Sequence, residues 1–213
     1  MGRIAKGVLG GFSGTVGSVV GGNWKGIEYI RSKPVTRKGR KQSQKQLEQQ
    51  AKFATAIRFT RTIQDLFMET FTKNANLMTG INSAISDLLK RALIGTYPFY
   101  DILYSQVMIS RGSLPNAASA QAVAASAGGI QFNWGNMDIP LGKAGPKDQA
   151  LLVAYCPELN RAWYRKGVTR IAMTDTLDAS GLSGKTVQTW LTFISEDKRD
   201  LADSLFTGEV TVA

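Results

Sequence analysis

Three hydrophobic patterns follow one another along the chain. From the start to about residue 42, short apolar runs alternate with glycine. Gly7, Gly10, Gly11, Gly14, Gly17, Gly21, Gly22 and Gly26 punctuate Val16, Val19, Val20, Trp24, Ile27, Tyr29 and Ile30. Residues 15–20 and 23–31 read as two short strands, with Gly21 and Gly22 as a permitted hairpin turn. On that register Trp24 shares a face with Glu28 and Ile30, while Lys25, Ile27, Tyr29 and Arg31 take the other. Glycine within a strand weakens it and marks close approach of another backbone, and an isolated hairpin is marginal in water. The hairpin is therefore expected to pack on, or insert into, its own chain or a neighbouring copy.

The second pattern is helical. Pro34 ends the hairpin and residues 35–42 form a basic linker. Ser43 opens a helix, with Gln46 three residues on in capping-box spacing. No Gly or Pro interrupts residues 44–73. Phe53, Ile57, Ile63, Phe67 and Phe71 recur at or near helical spacing, and Leu47 and Leu66 widen the stripe. A second helix over 77–93 puts Leu77, Ile81, Ile85, Leu88 and Leu89 on one face. The pair reads as a helical hairpin turning at residues 74–76, its two stripes forming a core.

From residue 96 the period switches to two. Strands are expected over 102–110, 121–126, 130–134, 150–155, 161–164, 168–174, 186–194 and 208–212. Turn signals at Gly112, Pro115, Gly128, residues 142–146, Gly167 and residues 181–184 separate them. Residues 186–194 alternate best, with Val187, Thr189, Leu191 and Phe193 on one side and Trp190 and Ile194 on the other. Residues 196–205 read as a short helix or a charged loop. This spacing predicts an immunoglobulin-like β-sandwich, without the cysteine pair and packed Trp of antibody domains. The expected class is α+β, in three regions: a basic Gly-rich arm with a β-hairpin (1–42), an amphipathic helical segment (43–95) and a β-sandwich (96–213).

Composition narrows the chemistry. The 213 residues contain no histidine, and Cys156 is the one cysteine. Ser-His-Asp and Cys-His catalysis, His-containing zinc sites and an intramolecular disulfide are excluded. No pair of carboxylates, lysines or tyrosines stands out by spacing, so the expectation is a protein that is not an enzyme and holds no cofactor or metal. No run of about 18 apolar residues could cross a membrane. The glycines of 7–22 break the apolar stretch that a secretory signal requires, and Lys6 occupies the position where myristoylation requires Ser or Thr. Synthesis in the cytoplasm is expected, with release inside a virion or other particle left open.

Charge is distributed very unevenly. Residues 1–60 carry twelve Lys/Arg against Glu28 and Glu48, and the remainder carries fourteen of each sign, so the whole net charge of +10 lies in the first 60 residues. Arg31, Lys33, Arg37, Lys38, Arg40, Lys41 and Lys45 form its densest part, with no acid among them. Such a segment meets a polyanion or an acidic protein surface, or serves as a solubilising linker.

Other motifs carry less. The segment 181–186, Gly-Leu-Ser-Gly-Lys-Thr, resembles the end of a phosphate-binding loop. Ala179 stands where that loop needs glycine, and a strand is expected to follow in place of a helix. Residues 10–17 are rich in glycine but lack the dinucleotide-binding spacing. Glu196, Asp197, Asp200 and Asp203 lack calcium-loop spacing and read as a solvated, internally paired turn with Lys198 and Arg199. Cys156 reads as a small buried hydrophobe. Tyr155, Trp163, Tyr164, Arg165, Lys166 and Arg170 form an aromatic–basic group that could stack bases, or equally be a sandwich strand with a charged edge.

The string from Gly11 to Gly21, with Trp24-Lys25-Gly26 and Ile30 to Pro34, joins Ser110 to Pro115 and Gly208 to Val212 in a further pattern. Together they resemble a family of small bacterial proteins known as a domain of unknown function. That resemblance covers nearly the whole chain and brings no activity, cofactor or catalytic residue. The expected function is that of a structural protein assembling with itself into a filament, shell or phage-type particle. Its arm residues are Phe12, Val16, Val19, Val20, Trp24, Ile27, Tyr29 and Ile30, acting with the sandwich edges. The alternative is nucleic-acid binding through phosphate contacts along residues 31–45. An enzyme without histidine and an adaptor for an acidic protein are the remaining readings.

Overall fold

The computed structural model describes residues 3–4 (backbone only), 10–35, 41–71, 78–135 and 144–213. The chain divides into two compact units, residues 1–43 and 44–213. In the first, β1 (Arg3–Ile4), β2 (Phe12–Val16), β3 (Val19–Trp24) and β4 (Ile27–Ser32) form one antiparallel sheet in sequence order. The turns lie at Gly17-Ser18 and Lys25-Gly26, so the turn expected at Gly21 and Gly22 is corrected: both glycines sit mid-strand. Lys25 and Gly26 have positive φ of 49° and 86°, which is what a two-residue type I′ turn demands. Asn23 Oδ1 closes that turn by accepting from Gly26 N at 3.1 Å.

The new register also changes the faces. Trp24 stands opposite Ile27, Gly22 opposite Tyr29 and Val20 opposite Arg31. Directly opposed residues share a face, so Trp24 lies with Ile27 and Tyr29, and Glu28 and Ile30 lie on the other side. The Tyr29 ring covers Gly22, where an added Cβ would come within 2.8 Å of it. An aromatic laid over a cross-strand glycine supplies the packing that the glycine lacks.

The second unit begins with α1 (Gln44–Thr60), directly after Ser43, followed by α2 (Gln64–Thr70) and α3 (Gly80–Arg91). A 3-10 turn, Arg61–Ile63, interrupts the single helix expected through residue 73. Two threonine hydroxyls accompany the break. The Thr60 hydroxyl donates to Ala56 O at 3.0 Å, and that of Thr62 to Phe59 O at 2.7 Å. Hydroxyls that bond back onto the preceding turn bend helices. The buried stripe runs Ala56, Phe59, Ile63, Leu66, Phe67, Phe71, while Phe53 is left half-exposed. The expected helical turn at 74–76 and Leu77 lie outside the described residues.

The hairpin β5 (Leu93–Thr96) and β6 (Phe99–Ile102) follows, ahead of residue 102 where the first strand of this region is expected. Two larger antiparallel sheets complete the unit. One contains β7 (Ala120–Ala124), β8 (Gly129–Trp134) and β11 (Thr174–Asp178), in the order β11-β8-β7. The other contains β9 (Gln149–Cys156), β10 (Arg161–Thr169), β12 (Thr186–Ile194) and β13 (Leu205–Thr211), in the order β10-β9-β12-β13. Helices and antiparallel sheets together give the α+β class that the periodicities indicate.

Strands β9 and β12 are buried on both faces. Leu151, Val153, Tyr155, Trp190 and Ile194 share a cluster with Phe59, Ile63, Phe67 and Leu88 of the helical segment. Leu152, Cys156, Val187, Leu191 and Phe193 share another with Ile130, Phe132, Trp134 and Leu177 of the three-stranded sheet. The alternation expected for residues 186–194 therefore sorts side chains between two cores.

Two strand expectations, over 102–110 and 168–174, and the turn expected at Gly167 are corrected, while residues 196–205 take the loop reading of the two expected for them. Of the strand expected over 102–110, Ile102 is the last residue of β6, Tyr104–Gln106 form a 3-10 turn, and residues 107–110 are not in a ladder. Side chains satisfy their backbone instead: Ser204 Oγ accepts from Ile109 N, and Thr70 Oγ1 donates to Ile109 O, both at 2.8 Å. Gly167 is not a turn. Strand β10 runs through it with a register shift between Lys166 and Thr169, and Asp175 Oδ2 accepts from Val168 N there at 3.0 Å. The residues after it enter a 3-10 turn at Arg170–Ala172 before β11. Residues 196–205 are loop until β13: Ser195 and Asp197 organise the turn, and Leu201 and Ala202 make isolated bridges to Ile194 and Leu114.

Candidate functional site

The N-terminal sheet gathers the arm residues but divides them between two faces. Val20, Trp24, Ile27 and Tyr29 lie on one, with Arg31. Phe12, Val16, Val19 and Ile30 lie on the other. Neither face is closed over: Ile30 is 63% exposed, Trp24 48%, and Val16, Ile27 and Tyr29 are similarly open. Strand β4 is an edge of its sheet and is exposed at each of its six residues. Its far end is tied down by Lys33 N, which donates to Ser18 O at 2.8 Å. Of the basic run, Arg31 and Lys33 lie at this end, and Lys41 and Lys45 are exposed around the start of α1. Arg37, Lys38 and Arg40 fall outside the described residues.

The aromatic–basic group is not one surface. Tyr155 is buried against Phe59 and Tyr104, with ring centroids 4.9 and 5.7 Å away. Trp163 packs on the core between the two sheets. Arg165 pairs with Asp175 at 2.6 Å and Lys166 with Glu69 at 2.5 Å. Arg170 is buried: it pairs with Asp148 at 3.3 Å, donates to Pro115 O at 2.8 Å, and lies 3.9 Å over the Phe193 ring. Burial lowers its pKa, and the Asp148 carboxylate opposes that shift. These residues bind the two sheets and the helices together, as a strand with a charged edge would.

The remaining motifs resolve similarly. Strand β12 starts directly after Lys185, whose ammonium pairs with Glu158 at 2.6 Å, so residues 181–186 join two strands. Cys156 is fully buried in the core between the sheets. Glu196 pairs with Lys147 at 3.3 Å. Asp197 accepts from Ser195 Oγ at 2.6 Å and Arg199 N at 3.0 Å, and these bonds hold its pKa down. Asp203 accepts from Gly112 N at 2.9 Å. Among the described residues no group of His, Cys, Asp and Glu could hold a metal ion, and no helix is long and apolar enough to cross a membrane.

One pocket escapes sequence reading altogether. Thr55 and Arg58 of α1, Asp101 of β6, Tyr104 and Tyr155 surround a cavity of about 220 Å³ floored by Phe59 and Ile102. Burial raises the pKa of both phenols. The neighbouring Tyr155 and Asp101 push Tyr104 further up, while the Tyr104 hydroxyl and Arg58 pull Tyr155 back. The one local signal is the aromatic density from Phe99 to Tyr104. Its meeting with Arg58 and Tyr155 depends on contacts across more than forty residues. The tip of the β5–β6 hairpin was also missed: Phe99 there is 83% exposed, beside half-exposed Ile94 and Tyr97.

A search of curated proteins gave no match. The model of a family of unknown function, DUF6266, matches residues 11–208, from the first full strand of the N-terminal sheet into the last strand of the second unit, and the chain belongs to that family.

Proposed function

We propose that the protein is a non-enzymatic structural subunit that assembles with further copies of itself, into a filament, shell or phage-type particle, through its N-terminal sheet. The observation that carries this reading is β4: an edge strand exposed at all six residues, on a sheet with large apolar side chains open on both faces. An edge of this kind presents a row of unpaired N–H and C=O groups that templates a further strand. Alternating Ile27, Tyr29 and Arg31 with Glu28 and Ile30 gives the added strand two distinct faces to match. The larger unit is read as immunoglobulin-like. Support comes from the strand order, in which the first, second and fifth strands of the pair of sheets lie together and the third, fourth, sixth and seventh form the other layer.

Sedimentation velocity of the full chain against a chain lacking residues 1–34 tests the reading. The full chain is expected to form concentration-dependent assemblies and the truncated one to sediment as a monomer. Equal behaviour of the two defeats it. A second reading, nucleic-acid binding, draws support from Arg31 sharing an exposed face with Trp24 and Tyr29, a combination that suits phosphate contact and base stacking. It predicts a log–log salt slope of about −5 for about six phosphate contacts on duplex DNA. A flat salt response would defeat it.

A further inference from the structure

The cavity beside α1 contains two opposite charges that do not neutralise each other. Arg58 and Asp101 both line it, yet among the described residues neither takes part in an ion pair. Asp101 uses one carboxylate oxygen, Oδ1, to accept from Ile102 N at 2.7 Å. The Arg58 guanidinium has no hydrogen-bond acceptor among the described residues. Both charges act on the same two phenols, Arg58 favouring their ionised forms and Asp101 opposing them, so both reach into one small space. Elsewhere in this unit the basic side chains near acids do pair: Arg165 with Asp175, Lys166 with Glu69, Arg170 with Asp148 and Lys185 with Glu158.

The rest of the wall suits a ligand. Phe59 and Tyr155 supply a buried apolar floor. The Tyr155 hydroxyl is already committed, donating to Asn160 Oδ1 at 3.0 Å, which fixes its ring. A volume of about 220 Å³ is about seven times the ~30 Å³ share of a liquid water. That is too small for a nucleotide and right for a metabolite of about ten heavy atoms. A few convergent polar groups around a small apolar floor can orient a bound molecule.

We infer that this cavity binds a small zwitterion of the free α-amino acid class, its carboxylate held by Arg58, its ammonium by Asp101 and its side chain laid on Phe59 and Tyr155. A carboxylate matches the planar guanidinium fork. An ammonium near the tyrosine rings gains from their π faces as well as from Asp101. A ligand bearing both charges satisfies two groups that the protein leaves open, whereas a simple anion would meet the Asp101 carboxylate and a simple cation would meet Arg58.

The test titrates the full chain with the twenty free amino acids, following backbone amide shifts of α1, β6 and the Tyr155–Asn160 segment by NMR. At least one amino acid is expected to give saturable shifts confined to those segments. Its N-acetyl derivative and its carboxamide are each expected to bind at least tenfold more weakly. Arg58→Gln should remove the preference for the acid over the amide, and Asp101→Asn the preference for the free amine over the acetylated form. Both residues are exposed, so these variants keep the fold, which the unchanged remainder of the spectrum verifies. The inference is overturned if no amino acid gives a saturable shift up to 10 mM, or if binding survives both variants with its preferences intact. It stands apart from self-assembly, since the truncated chain retains the whole pocket.

Discussion

Strands β3 and β12 are both paired on two sides, β3 with β2 and β4, β12 with β9 and β13. Both have ladder partners on each side, yet β3 buries one of its six residues and β12 buries eight of its nine. The difference lies in what covers the faces. Strand β12 has helices on one face and a second sheet on the other, and spends Trp190, Leu191 and Phe193 on them. Strand β3 has glycine where a covering layer would need side chains, and its sheet leaves Trp24 half-exposed. Backbone pairing alone supplies little net stability, because folding exchanges water bonds for protein bonds, so the two units hold together by different means.

The largest test of that contrast compares two tryptophans. Trp190 is fully buried against Tyr104 and Phe206, and Trp190→Ala is expected to cost about 3–5 kcal/mol in urea unfolding of the second unit. Trp24→Ala is expected to leave that transition unmoved and to weaken self-association. If the two substitutions destabilise alike, the N-terminal sheet is not the exposed surface described above. Asp148→Ala comes next. It strands the Arg170 guanidinium in a site where the side chain is 10% exposed, and breaking a buried pair from one side costs about 3–5 kcal/mol. Here too the loss should appear in the second unit's unfolding transition.

A smaller effect belongs to the first unit alone. Gly21→Val drives a branched side chain against the Phe12 carbonyl and ring, and backbone cannot swing aside. Overpacking of this kind costs about 1–3 kcal/mol. Hydrogen exchange should speed up in β3 and β4 and stay unchanged in β9 and β12. Protection lost across both units would mean that they unfold as one.

The same contrast explains what the amino-acid pattern discloses. Strands β8, β9 and β12 are legible because burial writes itself into them as Ile130 and Phe132, as the unbroken run from Ala150 to Cys156, and as the alternation from Val187 to Ile194. The N-terminal sheet is misread by one turn because Gly17, Gly21, Gly22 and Gly26 are all compatible with a hairpin. The choice rests on Tyr29 covering Gly22, a cross-strand fact. Phe59 is missed because Phe53 fits a helical period as well, and only packing on Tyr104 and Tyr155 decides which of them faces the core. Residues 107–110 look like a strand, but the backbone of Ile109 bonds to the side chains of Ser204 and Thr70, partners that spacing cannot reveal. The pocket is illegible for the same reason, since Arg58, Asp101 and Tyr155 meet only after the helix, the hairpin and the sheet have packed.

The two phenols of that pocket give the smallest effect, invisible at neutral pH. Burial raises the pKa of Tyr104 and Tyr155 above the ordinary 10.0. A phenol is neutral when protonated, and the folded state holds that proton more tightly than the unfolded chain does. The stability this contributes is fully present below about pH 10, and it is lost as pH climbs through the raised folded values, because the unfolded chain then binds fewer protons. Thermal unfolding of the second unit should therefore be level with respect to these groups from pH 7 to about 9 and fall above about 10. Tyr104→Phe should flatten the fall by removing the more strongly buffered of the two protons. Deletion of residues 1–43 should leave it intact, since the phenols and their neighbours Phe59, Arg58 and Asp101 all lie in the second unit. A decline unchanged in Tyr104→Phe would show that the Tyr104 phenol is not the source of the alkaline loss, and would leave Tyr155 to account for it.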